Sequence, residues 1–175
     1  MRAPSFNIVE IAERYSEAVV LLKQPGDCAI IERGGLRRQI IIFCPDGCGE
    51  RLSINLDPGS GRAWQLYQRR GMWSLFPSID KTSGCLSHFI LWSGRILWCD
   101  FQGSGTEPEW PHEFADDVLK AIDRHGSVHY LRVAEELDEV PWDILAVCRH
   151  LVCKGLLIEG KDLDRSVFTI ARNSG

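Results

Sequence analysis

Five residues in one stretch of this chain have the types and spacing to hold a transition metal. Cys44-Pro-Asp-Gly-Cys48-Gly49 follows an apolar run, and Cys85-Leu-Ser-His88 opens another. A Cys-Pro start fixes a turn, and a Cys-Gly end lets backbone N–H groups approach thiolate sulfurs. Three residues separate the first two cysteines, within the range that zinc sites use. Sulfur and imidazole donors favour Zn²⁺ over Mg²⁺ or Ca²⁺. Cys99 is the fifth candidate. If Ser93-Gly94 is the two-residue loop of a hairpin, Trp92 faces Arg95 and, counting back, His88 faces Cys99. The bland alternative is a set of buried apolar cysteines with a core histidine. Four protein ligands would make a closed structural centre, and three with a water a reactive one. Cys28, Cys148 and Cys153 read as packing residues.

The elements that must carry these residues are mostly strands. Ala18–Lys23, Ala29–Arg33 and Arg38–Phe43 are short runs rich in Val and Ile, broken by Gln24-Pro-Gly-Asp27 and Gly34-Gly35. Arg51–Leu56 alternates, with Leu52, Ile54 and Leu56 on one face. His88–Trp92 and Arg95–Cys99 form the tight hairpin, which sets Trp92 and Trp98 on opposite faces. Glu10–Glu17 reads as a short helix.

The second half differs. Glu113–His125 carries Phe114, Val118, Ala121 and Ile122 on one stripe and stops at Gly126. Ser127–Tyr130 is extended, and Leu131–Leu137 is a second helix. Pro141 opens a third, where its missing N–H costs nothing, and Gly155 closes it. Leu156–Glu159 and Ser166–Ile170 form a two-stranded wing. The expected fold class is α+β: a small, mostly-β zinc-binding domain over 1–103, a Gly/Pro-rich linker over 104–111 and a winged-helix domain over 112–175.

Charge separates the halves. Residues 1–106 hold 12 Lys/Arg and 10 Asp/Glu, and residues 107–175 hold 8 and 14. A second half at −6, whose third helix offers only Arg149, His150 and Lys154, argues against DNA as its partner. Protein binding or self-association is the better reading. No apolar run approaches the ~20 residues needed to span a bilayer. Met1–Glu17 has no signal-like apolar region, and an odd count of seven cysteines suits a reducing compartment. A cytoplasmic location, with no membrane, is expected.

From Cys44 to Trp98 the sequence resembles a bacterial family of small zinc proteins, formerly a domain of unknown function, encoded beside ubiquitin-like proteins and E1- and E2-like enzymes. The matching pieces are Cys44-Pro-x-Gly-Cys48-Gly, a Trp (Trp64 or Trp73), Leu75-Phe-Pro-Ser-Ile79, Cys85-Leu-Ser-His88-Phe89 and Gly94-Arg-Ile-Leu-Trp98, with Pro25-Gly-Asp27 upstream. Asp46 stands where many members are expected to carry a further cysteine, so that position is not an obligatory ligand. The resemblance implies a zinc peptidase that trims or removes a ubiquitin-like modifier, cutting after its C-terminal glycine. On that reading the zinc is catalytic and lowers the pKa of its water to about 7. Glu50, two residues past Cys48, is the expected general base; it also reads as a solvated glutamate at a strand start. Ser78 is either an oxyanion donor or ligand-orienting group, or a turn serine beside Pro77. The implied partners are the modifier's C-terminal tail and the E1/E2-like proteins. The competing function is a non-catalytic structural-zinc adaptor, or a transcription-factor-like module with a winged helix. A third is a factor that binds the modifier without cleaving it.

Overall fold

The computed structural model describes residues 2–99 and 109–172. The chain divides into two compact units, Met1–Pro108 and Glu109–Gly175. Most of the expected linker, 104–108, lies outside the described residues. The fold class is α+β, with three sheets and four α-helices among the described residues.

The first unit is built from two four-stranded sheets. In one, β1 (Asn7–Ala12) runs parallel to β2 (Asp27–Arg33), followed by antiparallel β3 (Leu36–Phe43) and β4 (Arg51–Asn55), with α1 (Tyr15–Leu21) joining β1 to β2. The centre of this sheet, β2 and β3, is apolar on both faces, which explains the unbroken apolar runs over 29–31 and 40–43. Cys28, Ile40 and Ile42 face the second sheet, while Ala29, Ile31 and Ile41 face Ala18 and Leu22.

The second sheet is a meander of β5 (Gln65–Arg69), β6 (Met72–Asp80), β7 (His88–Trp92) and β8 (Arg95–Trp98). Its Leu75, Ile79, Phe89, Leu91, Ile96 and Trp98 share one core with Phe6, Cys28, Ile40, Ile42 and Ile54. Burying one such aliphatic side chain fully contributes about 2 kcal/mol. Pro4–Phe6 cover the outer edge of β8, through Phe6 N–H to Gly94 O (3.1 Å) and Ile96 N–H to Pro4 O (3.0 Å).

Two sequence expectations fail here. Ala18–Lys23 is not a strand, and the helix is not at Glu10–Glu17. Ala18 and Leu22 are buried while Val20 is 62 % exposed, which is the i, i+4 spacing of a helix face. The residues before it pair with β2 as β1. The β5–β6 hairpin has no counterpart among the strands expected from sequence. Its turn, Arg70-Gly71, has positive φ at both residues (50° and 75°), as a type I′ turn requires, but lacks the Asn-Gly or Asp-Gly signature.

In the second unit α2 (Ala115–His125), β9 (Ser127–His129), α3 (Tyr130–Leu137), α4 (Pro141–Cys153), β10 (Leu157–Glu159) and β11 (Val167–Ile170) follow in order, with the strands arranged β10-β11-β9. Gly126 ends α2 at φ 75°, its N–H donating to Ile122 O. Val118, Ile122, Val133, Ile144, Val147, Leu151 and Phe168 form the core. Ile144 is fully buried on α4, so Ile144→Ala is expected to cost this unit about 2–5 kcal/mol, read as a lower midpoint in denaturant. Cys28 and Cys148 are core residues as expected, but Cys153 is exposed, because α4 turns that position outward at its last residue. No helix among the described residues is long and apolar enough to cross a membrane.

Candidate functional site

The site grows from an irregularity in β6. Its ladder with β7 pairs Leu75 with Leu91 and then Ile79 with Phe89. Phe76, Pro77 and Ser78 therefore stand opposite a single residue, Ile90. Such bulges bend a strand and re-aim a side chain, and Pro77 has no N–H to lose from the ladder. The bulge turns Ser78 toward His88, the first residue of β7. Ser78 Oγ and His88 Nε2 are 3.0 Å apart, and both side chains are half-buried. The same ladder sets Asp80 directly across from His88, on one face of the sheet.

A thiol cluster lies in the same loop system. Cys44 ends the run after β3, and Gly47 N–H donates to Cys44 O (3.1 Å), closing the knuckle turn. Cys44 N–H donates to Glu50 O (2.9 Å), and Arg51 Nη1 donates to Gly49 O (2.8 Å). Asp46 accepts from Arg2 Nε at 3.1 Å. Cys85 reaches the knuckle from the β6–β7 loop. The sulfurs of Cys44, Cys48 and Cys85 lie within 4.8 Å of one another, with Cys44 and Cys85 at 3.7 Å. Ser87 Oγ is buried beside them, 3.2 Å from Cys85 Sγ and 3.9 Å from Cys44 Sγ. Burial pushes the Cys44 thiol up to about 12. Burial also acts upward on Cys85, but the Ser87 hydroxyl and amide and the neighbouring thiols outweigh it and bring Cys85 down to about 7. One thiolate thus forms first, stabilised by its neighbours.

Of the five expected ligands, three come together. Among the described residues His88 and Cys99 are not in the group. The hairpin register counted from the sequence holds, with Trp92 opposite Arg95 and Cys99 N–H donating to His88 O (2.9 Å). The imidazole of His88 bonds the Ser78 hydroxyl. Glu50 pairs with the ammonium of Lys81, a side chain only 8 % exposed, and accepts from Cys48 Sγ at 3.6 Å. Its carboxylate therefore bridges the knuckle and the β6–β7 loop. Trp92 and Trp98 are both buried. The tryptophan beside the site is Trp64, whose indole N–H donates to Ser78 O at 3.3 Å.

Sequence reasoning nominated Ser78 and His88 separately and missed their pairing. The C-x-x-H spacing drew His88 toward the cysteines, and only the bulged register could have redirected it. Lys81 and Ser87 were not singled out; Cys85-x-Ser87-His88 offered the one signal for Ser87.

No curated protein and no solved structure gives a significant match to this chain. A family model does. Residues 14–99, 86 of the chain's 175, match the family described as bacterial ubiquitination-like system serine protease (BubE). This corrects the resemblance to a zinc peptidase family: the setting of ubiquitin-like conjugation agrees, but the peptidase class is serine, not metal. The first unit is therefore similar, over most of its length, to a protease, and hence a hydrolase, of a bacterial ubiquitination-like system.

Proposed function

We propose that the first unit is a serine protease that cleaves a bacterial ubiquitin-like protein after its C-terminal glycine, with Ser78 as nucleophile and His88 as general base. The observation that carries this is the 3.0 Å contact of Ser78 Oγ with His88 Nε2 in a segment that matches a serine protease family. A hydroxyl is a weak nucleophile until an adjacent base takes its proton. Neutral His88 accepts that proton as Ser78 Oγ adds to the scissile carbonyl. The imidazolium then protonates the departing amine, and water, activated by the same imidazole, releases the acyl group. Asp80 stands across the ladder from His88 and is our candidate for the third member of the triad, though no side-chain hydrogen bond joins the two here.

A fluorophosphonate tests the assignment, because it phosphonylates only an activated serine. Intact mass is expected to show one adduct, mapped to Ser78 by peptide sequencing and absent in His88→Ala. An unlabelled protein sinks the reading and leaves the non-catalytic adaptor, and a label elsewhere sinks the assignment of Ser78 and His88.

The thiol cluster supports a separate role. Cys44, Cys48 and Cys85 would hold Zn²⁺, which suits a sulfur donor set. Three thiolates leave the fourth position of a closed tetrahedral centre unfilled by this group; when bound, the ion would supply folding energy to the knuckle and to the loop between β6 and β7, while the protease chemistry stays with Ser78 and His88. For the second unit, the element order α2-β9-α3-α4-β10-β11 with a β10-β11-β9 sheet supports a winged helix. Its charge of −5, from 8 Lys/Arg and 13 Asp/Glu over 109–175, supports protein rather than DNA as partner. The full chain is expected not to shift duplex DNA below micromolar concentration at physiological salt; a sequence-selective submicromolar shift contradicts this.

A further inference from the structure

The pairing of β5 with β6 ends at Gln65 and Phe76, yet β6 runs on to Asp80. Ser78–Asp80 thus lie past the end of β5, and among the described residues no strand covers them on that side. What stands there is Trp64. Its backbone N–H turns away to Asn55 O at 2.8 Å, tying it to the end of β4 in the other sheet. Its indole N–H donates to the carbonyl of Ser78 at 3.3 Å. The ring is half-buried, packs against the core between the sheets, and carries the Arg62 guanidinium 5.3 Å from its centroid.

We infer that Trp64 is the specificity-determining residue of this site: it walls the open edge of β6 so that only a glycine fits beside Ser78. The inference rests on the serine-protease reading. An extended peptide tail pairs naturally with an uncovered strand edge. To bring its carbonyl to Ser78 Oγ it must pass the indole, which is held on the nucleophile's own backbone carbonyl by its hydrogen bond and by core packing. A ring anchored at both ends cannot rotate away to admit a Cβ. Exclusion by a rigid wall discriminates more strongly than loss of a contact, since the alternative is overlap with packed atoms.

Peptide aldehydes test this, because Ser78 O–H adds across the aldehyde to a reversible hemiacetal and protects the serine from a fluorophosphonate. Two probes suffice, one tripeptide ending in glycinal and one in alaninal. The wild-type protein is expected to be protected at least about 30-fold better by the glycinal, the range one extra methyl can supply. Trp64→Leu, which keeps an apolar side chain in the core, is expected to narrow that ratio to about 3. Trp64→Phe, which keeps a ring but loses the anchoring N–H, is expected to give a ratio between those of the wild type and Trp64→Leu. An unchanged ratio in Trp64→Leu, or equal protection of the wild type by both aldehydes, overturns the inference while labelling at Ser78 still stands. Absence of labelling in the wild type removes the serine-protease reading itself and this inference with it.

Discussion

Ser78→Ala is expected to leave a folded protein whose cleavage of the ubiquitin-like precursor falls by about four orders of magnitude. The side chain is half-buried, and its Oγ contact is to His88 Nε2. The fold depends on the strand pairing around it and not on the hydroxyl, so the far-ultraviolet dichroism and the unfolding midpoint should hardly move. His88→Ala should cost a similar factor. The double variant should be little worse than either single one, because nucleophile and base act as a unit. Glu50→Gln separates this mechanism from the one expected from sequence. As base to a metal-bound water, Glu50 would be indispensable. Paired with Lys81 and within reach of Cys48, it is a bridge between two loops, and its amide variant should keep cleaving at a reduced rate. Intact mass of the precursor over time measures all four proteins. Native cleavage by Ser78→Ala would end the proposal.

The second large effect concerns the thiols. Purified protein is expected to carry one equivalent of zinc, and Cys44→Ala to lose it. Cys44 is fully buried, so the variant loses packing as well as a ligand. The binding energy of a structural metal is folding energy, and the expected cost to the first unit is about 3–5 kcal/mol. For a unit of this size that lowers its melting temperature by roughly 10–20 °C. Chelation of the wild type should reproduce the shift, and added zinc should reverse it. Cys148→Ala is the control, since its thiol lies in the core of the other unit and should leave metal content unchanged. A first unit that melts at the same temperature with and without chelator would show that the three thiols are packing alone.

The second unit was largely legible in its sequence. Its helices follow one another with clear stripes, a glycine stop after His125 and a proline start at Pro141. All of these are local signals, read within a few residues. In the first unit the β2–β3 and β7–β8 hairpins were legible for the same reason, through apolar runs and glycine turns. The run Ala18–Lys23 misled because Val and Ile favour strands only when the pleat buries them. Here a neighbouring sheet buries Ala18 and Leu22, with Val19 packed in part against them and Val20 left exposed, and that tertiary demand overrides a weak local preference.

The sequence by itself determined which residues carry reactive groups and that Cys44, Cys48, Cys85, Ser78 and His88 belong to one region. It determined His88 opposite Cys99, because a two-residue loop leaves one register. Only the tertiary structure decided the partner of each side chain. Cys85 joins Cys44 across 41 residues of chain, and His88 meets Ser78 because two extra residues of β6 are absorbed in a bulge. Spacing in a motif counts residues along the chain, whereas a hydrogen bond or a metal site needs atoms within about 3–4 Å in space. Where strands from distant segments set that distance, a shift of one residue moves every side chain to the other face. The register that placed His88 on the serine, outside the thiol group, was therefore beyond what motif spacing could reach.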